Sequence, residues 1–402
     1  MSGNRSITVL GGGIGGLAAA IALARRGCAV DLIEQADALS EVGAGLQISP
    51  NGVAVLEGLG LRDAVAVVAG QPEAVHLRDG RSGRRVATVP LGRQIEMRHG
   101  RPFWQIHRAD LVGILADAAR REGVSLQLGR RITGIARDDG TDGPVLLKDA
   151  AGQTSTHGTL VAADGVRSRV RAALFGGEQV RFTGQVAWRG LVPMAALPAP
   201  LPDAAQVFMG AGRHLVAYPL RGRTLANIVA VEERADWTEE SWTRGADPAD
   251  VRAAFAGWAP EVSALLDALQ DCFVWGLFDH PPLRDWASGR VALLGDACHP
   301  MLPFMAQGAT MALEDAWVLA AELAGSPDDH GAALRAYSRA RLARATRVQA
   351  TSAGNAKIYH MGSGPARQIL HGGMRLVGRS APGLLERKFD WIYGADVTRT
   401  HP

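Results

Sequence analysis

The stretch ITVLGGGIGGLAAAIALARRGCAVDLIE, residues 7–34, decides the fold. A β-branched run from Ile7 to Leu10 leads into Gly11, Gly13 and Gly16 in G-x-G-x-x-G register, and an Ala/Leu-rich stretch of helical character follows. Gly11 permits a tight turn, Gly13 lets backbone approach a pyrophosphate, and Gly16 lets helix pack on strand. The helix N-terminus attracts the phosphates, which adds Ile14 and Gly15 to the candidate cofactor positions. Glu34 closes the second apolar run, eighteen residues past Gly16, where an acidic side chain holds ribose hydroxyls; Gln35 lies beside it.

The same stretch has a competing reading. Every residue from Ile7 to Ala24 is uncharged, which invites a signal peptide or a membrane span. Five glycines in the first ten of those residues suit a phosphate turn and suit a hydrophobic helix poorly. Cys28 to Glu34 then supplies the second strand that a βαβ unit needs.

Composition agrees with a cytoplasmic enzyme. A chain of 402 residues exceeds what one core usually organises, so two domains with interleaved segments are expected, and 47% hydrophobic content supports sizeable cores. The three cysteines, Cys28, Cys272 and Cys298, are too dispersed for a metal cluster and read as small buried hydrophobes; no metal site is expected. Net charge is +3, lysines occur only at 148, 357 and 388, and no basic run suggests nucleic acid or a membrane surface. Oligomeric state stays open, a homodimer being one option.

Downstream the pattern alternates. Residues 41–52, EVGAGLQISPNG, read as a glycine-containing loop, followed by a short helix at 53–59 and a strand-like meander to about residue 100. A helix from Arg108 places Leu111, Ile114, Leu115, Ala118 and Ala119 on one face. A strand at 125–128 and an antiparallel pair at 131–137 and 144–148 precede AADGVRSRVR, residues 162–171. Residues 180–232 carry period-two runs (GQVAWRGLVP, RHLVAYPL, TLANIVAV) expected to form a mostly antiparallel sheet. One helix carrying Phe255, Trp258, Val262, Leu265 and Leu266 follows, then the strand CFVWGLFD. Helices are expected at 309–324 and 331–354, with short broken ones to the end.

Residues 295–315, GDACHPMLPFMAQGATMALED, answer the opening motif. Asp296 follows the apolar run Val291–Leu294, at the strand end where ligands collect in open α/β sheets, although an Asp there also caps turns. Pro303, Gln307, Gly308 and Ala309 begin a helix whose free N–H groups and positive end suit an anionic part of a bound cofactor. His299 reads chiefly as a loop-orienting residue. Arg167, Arg169 and Arg171 read either as a phosphate stripe or as solvated charges on a short helix.

These three segments, in this order, resemble the fingerprints of single-component FAD-dependent aromatic hydroxylases, over about residues 5–350. VGAGLQISPNG and PFMAQGATMALEDA resemble the subgroup of 6-hydroxynicotinate 3-monooxygenase, 3-hydroxybenzoate 6-hydroxylase and salicylate hydroxylase. The resemblance implies an α/β fold of the p-hydroxybenzoate-hydroxylase kind: a glutathione-reductase-type FAD-binding Rossmann domain (1–74, 100–176, 280–350), interleaved with a smaller antiparallel-sheet substrate domain (75–99, 177–279), then a helical segment (351–402). It places FAD against Gly45, Arg108, Asp164, Gly165, Gly295 and Asp296, with Asp164 and Gly165 also serving the nicotinamide.

Side chains alternate along a strand, so RHLVAYPL puts His214, Val216 and Tyr218 on one face. In the pyridine-hydroxylating relatives a His and a Tyr at this spacing engage the ring hydroxyl, which makes His214 and Tyr218 the catalytic candidates; a structural His–Tyr pair is the alternative. Gln47, Val216, Phe304 and Met305 complete the expected pocket. Phe304 departs from its relatives, which carry histidine or tyrosine there, and so leaves the substrate open. A single dinucleotide fingerprint makes NADH or NADPH a transient reductant. The implied reaction is O2 addition at flavin carbon 4a and transfer of a hydroxyl to a small hydroxylated aromatic or N-heteroaromatic ring of the 6-hydroxynicotinate, hydroxybenzoate or salicylate type. A flavin halogenase would need a W-x-W-x-I-P element that is missing; an FAD-dependent dehydrogenase or redox-responsive FAD protein is the alternative.

Overall fold

The computed structural model describes residues 6–39, 44–137, 143–176, 180–235, 244–362, 364–380 and 383–402. Residues 41–43 of the expected glycine loop, and 177–179 at the expected start of the substrate domain, lie outside them. The opening run forms the strand Ser6–Leu10 inside a six-stranded sheet. Ala29–Ile33 and then Ser125–Gln127 lie on one side, and Thr159–Ala162, Val291–Leu293 and the edge Ala287–Ser288 on the other. Pairing is parallel except at that last edge. Such strands must be apolar on both faces, and Ile7, Val9, Leu160, Val161 and Leu293 are all buried.

The glycine register has a steric cause. Gly11 has φ +109°, and a Cβ there would stand 2.3 Å from the carbonyl oxygen of Ala163. A Cβ at Gly16 would stand 1.9 Å from the carbonyl oxygen of Gly11. The helix Ile14–Arg25 can therefore close onto its strand only because both positions lack side chains, and the turn packs directly against the segment that carries Asp164.

A second, eight-stranded sheet runs in the order Arg244–Ala246, Cys272–Asp279, Arg181–Pro193, Leu225–Glu233, Arg213–Leu220, Ala204–Gly210, Ala74–Asp79 and Arg85–Pro90. It is antiparallel except where Ala204–Gly210 runs parallel to Ala74–Asp79. The structure corrects three local expectations. Gly45–Ile48 is a strand, not loop, because it pairs with Trp104–His107. The stretch from 53 to 100 holds two further helices, Arg62–Val68 and Gly92–His99, besides strands. The helix expected around Phe255 to Leu266 is two, Pro248–Ala254 and Pro260–Asp267; each starts with a proline, whose missing N–H is harmless only in a first turn.

Helix Gly308–Gly325 packs against both Ile14–Arg25 and the 30-residue helix His330–Tyr359, which runs beyond its expected end at Gly354. Its Glu314 and Asp315 are fully buried and paired: Arg341 reaches Glu314 at 2.6 Å and Asp315 at 2.8 Å, and Arg344 reaches Glu314 at 2.8 Å. Burial alone would raise both carboxyls. For Asp315, His299 and Arg341 outweigh it, and for Glu314, Arg341 and Arg344 do, so both lie below the usual carboxylate range. Arg341→Met should destabilise the fold by about 3–5 kcal/mol in urea denaturation, because it takes a counter-charge from two buried carboxylates at once, leaving Glu314 to Arg344 and Asp315 to His299. Depressed carboxylates stabilise fully above their unfolded pKa of about 4, and lose that contribution as pH falls through the lower folded values. The gap between parent and variant should therefore narrow below about pH 4; equal midpoints at neutral pH would refute this role.

Candidate active site

A cavity of about 440 Å³ opens where the two sheets meet. Two helix N-termini border it: Gly13, Ile14 and Gly15 begin one helix, and Gln307, Gly308 and Ala309 begin the other. Neither has a side-chain cap, so backbone donors and the positive ends of both helices are offered to whatever lies between them. A Cβ on Gly13 would meet nothing within 4 Å, which leaves the space before the first helix open.

Gly45, Gln47, Arg108, Gly165, Gly295, Asp296, Pro303 and Met305 line the same cavity. The side chain of Asp296 is open to it, while the surrounding protein raises its carboxyl against the pull of His299 and Arg108. Burial lowers the Arg108 guanidinium, and the Asp296 charge opposes that. On the cavity wall, Oε1 of Gln307 is buried without a hydrogen-bond partner among the described residues, and so, beside the lining residues Ala163 and Gly165, is Oδ1 of Asp164. Uncapped N-termini, a bare glycine turn and orphaned acceptors are what a polar, phosphate-bearing nucleotide requires, so the residues present fit FAD.

Other expected cofactor residues stand back from the cavity. Gly11 and Gly16 act behind the turn. Glu34 uses its oxygens on the N–H groups of Gly12 and Ala36, at 2.6 and 2.8 Å, and so clamps the turn. Gln35 is exposed. Oδ2 of Asp164 accepts from the N–H groups of Arg169 and Val170, at 2.8 and 3.3 Å, holding a short helix. Of the arginine stripe, Arg167 and Arg169 are exposed, but Arg171 is buried and donates to the carbonyls of Val166 and Ala297, tying the second motif to the third. His299 is buried against Asp315 at 2.5 Å and against the Trp286 ring. Cys298 joins that cluster, its thiol donating to the Gly295 carbonyl. These are packing roles.

On the opposite sheet, the alternation of Arg213–Leu220 brings His214, Val216 and Tyr218 to the cavity wall together. Tyr218 lies over Gly45, where a Cβ would stand 2.5 Å from its hydroxyl. Burial pushes the Tyr218 phenol up against the pull of Arg189, and pushes His214 well down with help from His360. Phe304 packs its ring edge to His214, with centroids 5.4 Å apart.

The sequence reading missed two contributions. Arg189, in GQVAWRGLVP, lines the cavity above the Trp275 ring; burial lowers it to about 10, and no carboxylate partners it among the described residues. A lone arginine within an apolar strand was the available signal. The C-terminal segment supplies Asn355, Ile358, Tyr359, Glu386 and Tyr393, and nothing local in the sequence marks them as wall residues.

A family model described as an FAD binding domain matches residues 5–352. The 3-amino-4-hydroxybenzoate 2-monooxygenase PtmB3 of Streptomyces platensis is 37% identical over 401 residues, covering 99% of this chain and 98% of its own. The 6-hydroxynicotinate 3-monooxygenase of Bordetella bronchiseptica is 38% identical over 360 residues, covering 88% of this chain and 92% of its own. The structure of Klebsiella pneumoniae HpxO with FAD and uric acid matches with a TM-score of 0.81 at 31% identity, over 94% of each chain. The chain belongs to this FAD-binding family, as an FAD-dependent monooxygenase of the aromatic-hydroxylase class. Among the described residues, no helix is long and apolar enough to cross a membrane.

FAD should be released by acid precipitation, since none of the fingerprint residues is a His or Cys placed for attachment. Asp296→Ala should weaken FAD binding by about 1.5–3 kcal/mol, the worth of a hydrogen bond to a charged group. Fluorescence titration of the apoprotein reads this, and unchanged affinity would remove Asp296 from the cofactor site.

Proposed function

We propose that this protein hydroxylates a small hydroxylated aromatic or N-heteroaromatic acid, of the hydroxybenzoate or hydroxynicotinate type, using O2 and NADH or NADPH. The carrying observation is that His214 and Tyr218 share one cavity with the two uncapped helix ends. Bound FAD supplies oxygen activation. The protein supplies a ring site whose polar groups have definite protonation: with its pKa raised, Tyr218 keeps its proton and donates to the ring oxygen; with its pKa lowered, His214 stays neutral and accepts one. Arg189 supports an acid substrate, because a carboxylate beside it would neutralise a buried guanidinium that has no counter-charge among the described residues. Val216, Val229, Val231, Phe304 and Tyr359 give the cavity an apolar wall that excludes water. In this reading 1–74, 100–176 and 280–350 hold the cofactor, 75–99 and 177–279 roof the ring, and 351–402 closes the cavity.

The test is a panel of hydroxylated benzoates, pyridines and quinolines. NAD(P)H oxidation should be slow alone and accelerate with an acidic phenol, with product heavier by one oxygen; equal rates with and without every ring would favour a dehydrogenase. His214→Ala and Tyr218→Phe should cut hydroxylation by about 10²–10⁴ while peroxide accumulates, and flavin reduction should suffer less.

Phe304→His, which sets a polar ring beside His214, should shift preference among rings toward those with a carboxylate or ring nitrogen. Arg189→Leu should raise KM for carboxylate-bearing rings by about 10- to 100-fold and leave uncharged phenols nearly unaffected. Steady-state kinetics on matched substrate pairs reads both.

A further inference from the structure

We propose that His214 is the inner end of a proton relay that passes through His360 to Glu233 and connects the ring site with solvent. The proposal rests on the reading of His214 as the partner of the ring hydroxyl. Nδ1 of His214 lies 2.6 Å from Nε2 of His360, and Nδ1 of His360 lies 3.1 Å from Oε1 of Glu233. Both imidazoles are buried, at 2% and 6% exposure, whereas the Glu233 side chain is 56% exposed. The row therefore leads from the cavity wall to water within three side chains.

His360 arrives from far along the chain, as the first residue after helix His330–Tyr359. Backbone bonds hold it there: the Gly212 N–H donates to the His360 carbonyl at 3.1 Å, and the Glu233 N–H to the Gly212 carbonyl at 2.7 Å. The charged and polar groups facing His360 are Glu233, Arg213, His214 and the Gln185 amide, 3.4 Å from its Nδ1. Burial lowers both imidazoles; Glu233 pulls His360 up and Arg213 pushes it down, with the net shift downward. Both rings are thus neutral at pH 7, each with one N–H and one lone pair.

That leaves one polarity. A carboxylate only accepts, and turning the Gln185 amide so that its otherwise orphaned Oε1 faces the same nitrogen sets a second acceptor there, so His360 donates from Nδ1 and accepts at Nε2. His214 must then donate from Nδ1, which leaves its Nε2 lone pair for a ligand in the cavity. The exposed carboxylate thereby sets the buried ring as a base. When a ring hydroxyl gives its proton to Nε2 of His214, the Nδ1 proton of His214 moves to Nε2 of His360, and the Nδ1 proton of His360 moves to Glu233 and on to water. Three bonds to hydrogen form and three break. No imidazolium is left in the interior, where a lone His214 base would have had to carry one. Reversal returns a proton to the product oxygen.

The test compares FAD-loaded parent, Glu233→Gln and His360→Gly. Without substrate, proton NMR of the parent should show a far-downfield imidazole N–H resonance from the short His–His bond, absent from His360→Gly. On mixing with 3-hydroxybenzoate or 6-hydroxynicotinate in stopped flow, a pH indicator should report proton release slowed by about 10²-fold in His360→Gly and less in Glu233→Gln. Added imidazole should restore His360→Gly, whereas pyrrole, which fills the same space without a basic nitrogen, should not. Parent-like proton release in both variants overturns the relay. If His214→Ala still uncouples the enzyme in that case, the reading of the ring site survives alone; if His214→Ala stays fully coupled, that reading is what fails.

Discussion

Everything at the cofactor side depends on keeping the N-terminus of helix Gly308–Gly325 uncapped and aimed at the cavity. Such an end has no partner of its own, so it must be held from behind, and buried charge does this. Glu314 and Asp315 anchor the helix to Arg341 and Arg344 of the following one. From Glu314 a polar chain runs forward, through Asn51 at 2.6 Å and Ser49 at 2.7 Å to the Gln307 amide at 2.9 Å, at the mouth of the site. His299 on Asp315 fixes the preceding loop from the other side. A rigid apolar core would hold the helix equally well in several registers; charges with named partners admit one.

What the sequence disclosed follows from how local each demand is. The glycine register is a steric rule written into ten residues, and the alternation of Arg213–Leu220 names its own cavity face. Glu34 was legible as the end of a strand, but its engagement of the Gly12 and Ala36 N–H groups was not, since that depends on the turn's final geometry. The split at Pro260 was legible and was overridden by apolar spacing that continues across it. Gly45–Ile48 and His360 were beyond reach: their partners stand far away in the chain, as with Gly45 on His107 or His360 on His214, and no nearby pattern announces them.

The two walls of the cavity use opposite chemistry. One offers bare backbone donors and helix ends, suited to a large anion that stays. The other offers neutral polar side chains within apolar surroundings, where burial holds Tyr218 protonated and His214 unprotonated across the physiological range. Arg189 is the exception on that wall, a guanidinium that burial lowers and that no carboxylate partners among the described residues.

The single parallel pairing in the eight-stranded sheet bears on how the chain is made. Ala74–Asp79 can form its hairpin with Arg85–Pro90 as soon as both leave the ribosome, but its other edge must wait for Ala204–Gly210. The six-stranded sheet waits longer still, since Thr159–Ala162, paired on one side with Ser6–Leu10, lacks its second neighbour until Val291–Leu293 is synthesised. Neither sheet can therefore finish before the other has begun, and a nascent chain carries two open strand edges for much of its elongation. Topology of this kind folds slowly and exposes aggregation-prone edges in transit. Yield in the cell should accordingly answer to growth temperature and chaperone supply more than to any one contact in the finished molecule.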